Sequence, residues 1–170
     1  MTPAQASHDL NAALQGDWVG VLEYRDYSQP ATSTKRVELP TWLHVAVTGE
    51  GTETWHYVYD DGPNKTVDET ATIAFDATRG TYSAAENGKP AQVYQAAGYG
   101  LLKSGRGTLV LSGGGTDAGK AAEMRVTMTV GRNLMEVLQE TRPAGSQEAF
   151  AFRHLYRFVR RDVPAVTGSR

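Results

Sequence analysis

The residues best suited to chemistry lie near the C-terminal end, in "EAFAFRHLYRFVRR", positions 148–161. His154 alternates there with Phe150, Phe152, Tyr156 and Phe158, while Ala151, Arg153, Leu155, Arg157 and Val159 take the other parity. Alternation with period two is the mark of a strand, so each set shares one face. A histidine among four aromatic side chains is either a hydrogen-bonded core residue or a working group inside a cavity. In the second case the neutral imidazole serves as acid, base or metal ligand.

Polar residues on otherwise apolar faces form a second group. Tyr24 and Asp26 share a parity with Trp18 and Leu22, and Trp55, Tyr57 and Tyr59 alternate further on. Glu69 falls in register with Ile73 and Phe75, and Glu136 with Leu134 and Leu138. Either these carboxylates sit in water at the rims, or they form a polar head-group site at one end of an aromatic cavity, paired with Arg153 or Arg157. Tyrosines suit such a site because each offers a flat apolar face and one hydroxyl. Tyr24, Glu69, Glu136, Arg153 and His154 also make up the pool for acid–base chemistry, but no nucleophile–base–orienter set can be assembled from them.

Two resemblances to short motifs fail on context. "GGTDAGKA", Gly114 to Ala121, spaces Gly114, Gly119 and Lys120 like a phosphate-binding loop. It has alanine where a magnesium-binding Ser or Thr is required, and no adequate helix follows, so a flexible hairpin is expected. His44 and His56 sit on strand patterns and cannot form a helical metal pair. A zinc site using them with Asp or Glu would need a meeting in space that the sequence does not reveal.

The elements that must position these residues are mostly short strands. Residues 3–15 read as one helix, with Thr2 as cap, Pro3 at the first position, Leu10, Ala13 and Leu14 on one face and Gly16 as stop. Alternating runs then follow at 17–28, 35–48, 53–60, 66–76, 80–84, 91–97, 107–112, 123–131, 133–142 and 148–160. Turn sequences such as "ENGKP", "SGGGTDAGK" and "GRN" separate them, with Asn87–Gly88 favouring a type I′ turn. The clearest strand, "EMRVTMTV", puts Met124, Val126, Met128 and Val130 on one face and polar residues on the other, as an antiparallel sheet with one dry side requires. The expected fold is all-β: a closed antiparallel up-and-down barrel of about eight to ten strands with a short N-terminal helix as plug. Gly20, without a side chain, is expected to admit close approach of another element.

"GDW", with Gly16 and Trp18 between the helix and the first strand, resembles the G-x-W element of lipocalins and their calycin relatives. The resemblance implies that Trp18 closes the barrel floor and that a basic residue of the last strand, Arg153 or Arg157, packs across it. The longer "GDWVG", with Gly20, is also similar to the opening of the nitrobindins, ten-stranded barrels that bind haem through a histidine near the C-terminus. That resemblance implies His154 as axial ligand.

Composition bounds the rest. The chain has 170 residues and a net charge of −2, which gives no basic field for nucleic acid. It has no cysteine, which excludes disulfides and thiolate-bound metals and leaves the compartment, periplasm or cytoplasm, open. No apolar run approaches a membrane span, and the first residues lack the basic start and apolar middle of a signal peptide, so a soluble chain is expected. One barrel domain is expected over residues 1–162, with a flexible tail at 163–170. The expected function is non-enzymatic binding of a small hydrophobic or amphipathic molecule, with no cofactor. Haem on His154 and a barrel enzyme are the alternatives, and a homodimer stays open. The expected ligand contacts are Leu22, Tyr24, Asp26, Trp55, Tyr57, Glu69, Tyr94, Met124, Met128, Glu136, Phe150, Phe152, His154 and Tyr156. The methionines favour loose selectivity.

Overall fold

The structure is a computed structural model that describes residues 2–30 and 32–161. The expected tail at 163–170 lies outside the described residues. One helix, α1 (Pro3–Leu14), precedes ten strands: β1 (Gly16–Arg25), β2 (Arg36–Gly49), β3 (Thr52–Asp60), β4 (Thr66–Asp76), β5 (Thr81–Glu86), β6 (Gln92–Ala97), β7 (Gly107–Asp117), β8 (Lys120–Val130), β9 (Leu134–Pro143) and β10 (Ala151–Arg160). Each strand pairs antiparallel with its neighbours in sequence, and β1 pairs with β10, so the sheet closes into an up-and-down barrel without free edges.

The seam needs a glycine. A Cβ on Gly20 would lie 1.8 Å from the Arg157 carbonyl oxygen, so only glycine lets β1 and β10 approach as they do. Trp18, Leu22 and Tyr24 face inward and Val19, Val21 and Glu23 outward, as the alternation predicts.

One expectation about the hairpins is corrected. The segment read as a loop, "SGGGTDAGK", is strand nearly throughout, because β7 and β8 stay paired from Gly107↔Val130 to Asp117↔Lys120. Only Ala118 and Gly119 turn the chain, with φ of 48° and 75°, the left-handed pair that a type I′ hairpin requires.

Helix α1 plugs one end. Thr2 Oγ1 accepts the Gln5 amide at 3.2 Å, and Pro3 opens the helix as the sequence suggests. Leu10 and Leu14 are completely buried against the barrel interior. Ser7 Oγ donates to the Phe75 carbonyl at 3.3 Å, and the Asn11 side-chain amide donates to the Gly49 carbonyl at 3.2 Å, which tie the helix to the ends of β4 and β2.

The floor beneath the helix differs from expectation in one residue. Trp18 is buried, and its indole N–H donates to the Leu14 carbonyl at 2.8 Å. The arginine across it is Arg160, whose guanidinium lies 4.2 Å from the ring centroid, and not Arg153 or Arg157. Register explains the correction. Arg160 is the direct β10 partner of Trp18 and shares the inward parity of Phe158, whereas Arg157 points outward to Glu23 Oε2 at 3.2 Å. Arg160 also donates to the carbonyls of Ala13 at 2.6 Å, Gln15 at 2.8 Å and Arg132 at 3.3 Å. A cation at a helix C-terminus that satisfies its orphan carbonyls stabilises both the helix and its seat. We expect Arg160→Ala to cost about 2 kcal/mol and lower the melting temperature by about 5 °C, with Arg160→Lys recovering only part of it. A thermal scan showing Arg160→Ala as stable as the parent would refute this role.

Candidate functional site at the open end of the barrel

The interior is divided in two. Toward the plug it is solid: Trp18, Trp55, Phe158, Leu43, Leu109, Leu111, Met128 and Met135 are nearly or wholly buried. Toward the other end two hollows remain. One, of about 420 Å³, is lined by Ala84, Glu86, Lys89, Gln92, Tyr94, Met124, Gln139, Arg153 and His154, among others. The other, of about 340 Å³, is lined by Leu22, Tyr24, Tyr27, Ala118, Arg153 and His154. Arg153 and His154 belong to both.

Two sequence devices make this space. Gly113 and Gly115 continue the inward parity of Leu109 and Leu111, and a Cβ on them would meet Tyr94 Cδ1 and Met124 Cε at 2.9 Å. Small residues on the inward face of β7 thus leave room for the Tyr94 ring and Met124 thioether of the flanking strands β6 and β8. The second device is a bulge: Phe152 pairs with Glu140 and His154 with Gln139, so Arg153 is one residue too many. The extra residue inverts the alternation above it. Arg153 turns to the mouth, where its Nη1 donates to the Thr116 carbonyl at 3.0 Å and stands 3.6 Å from the Met124 sulfur.

The same bulge corrects two expected ligand contacts. Phe152 and Phe150 leave the His154 face and lie outside, Phe152 under Arg36 at 4.3 Å and Phe150 between Arg125 at 4.3 Å and Arg142 at 4.6 Å. Glu136 is also outside, exposed and 3.9 Å from Arg157, because its neighbours Met135 and Val137 face in. Asp26 falls just past β1, where it accepts from the Ser28 amide at 3.0 Å and hydroxyl at 2.6 Å and pairs with Lys35, a turn role. Trp55, Tyr57 and Met128 belong to the packed interior, and Glu69 lies half-buried between strands beside the tyrosine cluster. Leu22, Tyr24, Tyr94, Met124 and His154 are the expected contacts that line the hollows.

An aromatic column runs inward from the mouth. His154 meets Tyr156 edge-on at 5.5 Å, Tyr156 stacks on Phe158 at 5.6 Å and lies 5.4 Å from Tyr57, and the hydroxyls of Tyr59 and Tyr156 bond at 2.8 Å. Burial raises the pKa of Tyr57, Tyr59, Tyr82 and Tyr156, so these hydroxyls keep their protons at physiological pH. Burial likewise pushes the His154 imidazole down to about 4, helped by the Arg153 charge. Among the described residues no side-chain or backbone group hydrogen-bonds its ring. The site therefore presents a neutral, unpartnered imidazole to two hollows.

Asp117, unremarked in the sequence, organises the rim. It accepts from Tyr27 at 2.9 Å, from Thr141 at 2.9 Å and from Arg25 at 3.2 Å, and so ties the β1–β2 loop to β7 and β9. Burial acts to raise its pKa, but these hydrogen bonds and the Arg25 charge outweigh it and hold the carboxyl below the ordinary value.

Glu53 is the second residue that sequence reading missed. It is completely buried on the inward parity of β3, donor to nothing and acceptor only of the Trp55 indole N–H at 2.5 Å, with Oε1 unpartnered. The signal was its place in "TETWHYVYD", two before Trp55, but rim positions usually take such residues into water. Burial raises its pKa from 4.5 to about 7.

No protein-family model matches the chain, and no curated protein matches it. Among solved structures it is similar to the crystal structure of Rv2717c from M. tuberculosis, with a TM-score of 0.60 and 12% identity over 95% of this chain and 99% of that one. At that identity the likeness shows the fold alone: a closed ten-stranded antiparallel barrel. Among the described residues no helix is long and apolar enough to cross a membrane.

The folded protein holds a proton on Glu53 at pH values where the unfolded chain, titrating near 4.5, has lost it. Stability from this group is therefore present in acid and falls as pH rises from about 5 through 7. We expect urea unfolding to show Glu53→Gln gaining on the parent by up to about 3 kcal/mol between pH 5 and pH 8. Parallel profiles for the two proteins would show that Glu53 does not titrate in that range.

Proposed function

We propose that the open end of the barrel binds a small amphipathic molecule carrying an acidic group, and that haem is the member of this class which His154 favours. The observation that carries the reading is the free imidazole of His154, kept neutral by burial and facing both hollows. The lining supports an amphipathic rather than a purely apolar guest. Leu22, Tyr24, Tyr94 and Met124 offer flat or adaptable apolar contact, while Arg153, and Lys89 from its exposed pair with Glu86 at 3.5 Å, offer positive charge for a carboxylate. Hollows of several hundred cubic ångströms are in the usual range for small-molecule sites.

The residues fit haem in donor chemistry. A single neutral histidine suffices to ligate haem, which when bound would supply an iron centre for ligand or redox chemistry. His154 would be the ligand, and Arg153 and Lys89 would hold the acidic edge. Arg153 stands between the two hollows, so a broad flat guest that spans both requires its guanidinium to leave the Thr116 carbonyl. That movement breaks one hydrogen bond and releases the charge for the guest.

Titration of hemin into the purified protein, followed in the Soret region, tests this. We expect one equivalent to bind with a shifted Soret band, His154→Ala to abolish the shift, and Arg153→Gln to weaken binding about tenfold. A Soret shift indifferent to His154→Ala would remove the imidazole from the site. If a fluorescent fatty acid also fails to bind, the amphipathic-ligand reading goes with it.

The pH dependence is a separate test. An ordinary histidine, half protonated near 6.5, would lose about tenfold in affinity by pH 5.5 through proton competition. With its pKa at about 4, His154 binds without that competition, so hemin affinity stays within about threefold from pH 8 to pH 5.5. A tenfold loss across that range would contradict the buried, neutral state of the ring.

A further inference from the structure

His44 and His56, set aside in the sequence for want of a meeting in space, do meet. They are direct cross-strand partners on β2 and β3. Both lie on the outer wall, since Leu43 and Val45 on one strand and Trp55 and Tyr57 on the other are the buried neighbours. Their Cβ atoms are therefore about 5 Å apart, with both rings leaving the same surface.

Each ring is fixed by a carboxylate. His44 Nδ1 lies 2.7 Å from Asp17 Oδ1, and Asp17 is its β1 register partner. His56 Nε2 lies 2.8 Å from Asp68 Oδ1 on β4. An ionised carboxylate only accepts, so the nitrogen facing it must carry the hydrogen. The lone pair of each neutral ring is then on the other nitrogen: Nε2 of His44 and Nδ1 of His56. These two are left without a hydrogen-bond partner among the described residues.

We propose that His44 and His56 form a two-imidazole site for a borderline divalent transition ion, Cu²⁺, Ni²⁺ or Zn²⁺, on the outer wall of the barrel. Carboxylate behind imidazole is the arrangement that orients histidine for a metal and raises its basicity. Imidazole nitrogens select these ions over Mg²⁺ and Ca²⁺, which take oxygen donors. Metal–nitrogen bonds of about 2.0 Å need the two nitrogens about 3.3 Å apart at a tetrahedral centre, within reach of rings on adjacent strands. A hollow of about 90 Å³ lies there, lined by Asp17, Trp42, His44, His56, Val58 and Arg161 among others. That is the volume of about three water molecules, enough for an ion with part of its hydration shell. Among the described residues no third histidine, cysteine or carboxylate converges on the pair, so water completes the coordination. Asp17 and Arg161 both line the hollow, and Asp68 stands outside it behind the His56 ring.

The site is remote from the barrel mouth and independent of what binds there, and Trp42, itself 43% exposed, stands beside it as a reporter. The test uses the full chain free of any affinity-tag histidines. Cu²⁺ is added while tryptophan fluorescence is followed, with calorimetry for Zn²⁺ and Mg²⁺ as control. We expect one Cu²⁺ per chain with quenching, no response to Mg²⁺, and Cu²⁺ binding tighter than Zn²⁺. Asp17→Asn, which leaves both ligands in place, lowers affinity about tenfold, and His44→Ala or His56→Ala lowers it further. The control His8→Ala leaves it unchanged. If the two His variants each keep the parental affinity, or if Asp17→Asn has no effect while His8→Ala does, binding is by scattered single imidazoles and the paired site is refuted.

Discussion

The structure depends on how the carbonyl end of one short helix is satisfied. Helix α1 ends at the base of a barrel, and its last carbonyls would be orphaned in a dry place. The Trp18 indole takes the Leu14 carbonyl, and the Arg160 guanidinium takes those of Ala13 and Gln15 while lying over the Trp18 ring. Trp18 is on the first strand and Arg160 on the last, and they are register partners. The same two side chains therefore cap the helix, seal the floor and fix the register of the closing seam. A one-residue slip of β10 would turn Arg160 outward and leave the helix end unsatisfied, so closure and plugging are specified together.

Because that end is sealed, free space survives only at the other. The filled half carries large side chains on every strand, whereas at the mouth β7 supplies glycines and β10 supplies an extra residue. The bulge sets Arg153 beside His154 at the mouth, where unbroken parity would have placed the Phe150–Phe152 pair. It also sends Phe150 and Phe152 outward, where arginines cover them. The result is a mouth more polar than the alternation of β10 suggests. Of its charged residues, Glu86 pairs with Lys89 at 3.5 Å, while Arg153 is held by the Thr116 carbonyl.

Much of this was legible in the residues. The ten strands follow from alternation, because period two is imposed locally by the pleat, and the turn at Asn87–Gly88 follows from the left-handed backbone that pair favours. Helix α1 was marked by Thr2, Pro3 and Gly16. The inward set on β1 was correct for the same local reason, until Asp26, where the strand had already ended in an Asx turn. What failed was whatever depends on register between strands. The bulge at Arg153 leaves no compositional trace in "FRHL", so parity counted through it misplaces Phe150 and Phe152. The expectation of Arg153 or Arg157 at the floor failed because the inward parity of Phe158 extends by two residues to Arg160. The glycine run of β7 was taken as a loop because glycine marks turns more often than it marks space made for a neighbour.

The histidines show how far environment outweighs residue type. His154 and the pair His44 and His56 all present a free ring nitrogen, for opposite reasons. On the outer wall each ring is held by a carboxylate that fixes which nitrogen carries the hydrogen, so water and charge do the ordering. At the mouth the His154 ring packs against Tyr156 without a hydrogen-bond partner among the described residues, and desolvation, helped by the Arg153 charge, keeps it neutral. An imidazole without a carboxylate behind it is a less basic donor and suits a ligand already held by other contacts. One oriented by a carboxylate can recruit a bare ion without further help. The barrel thus separates two kinds of imidazole by one thickness of sheet: an inner one set by packing and desolvation, and outer ones oriented by carboxylates.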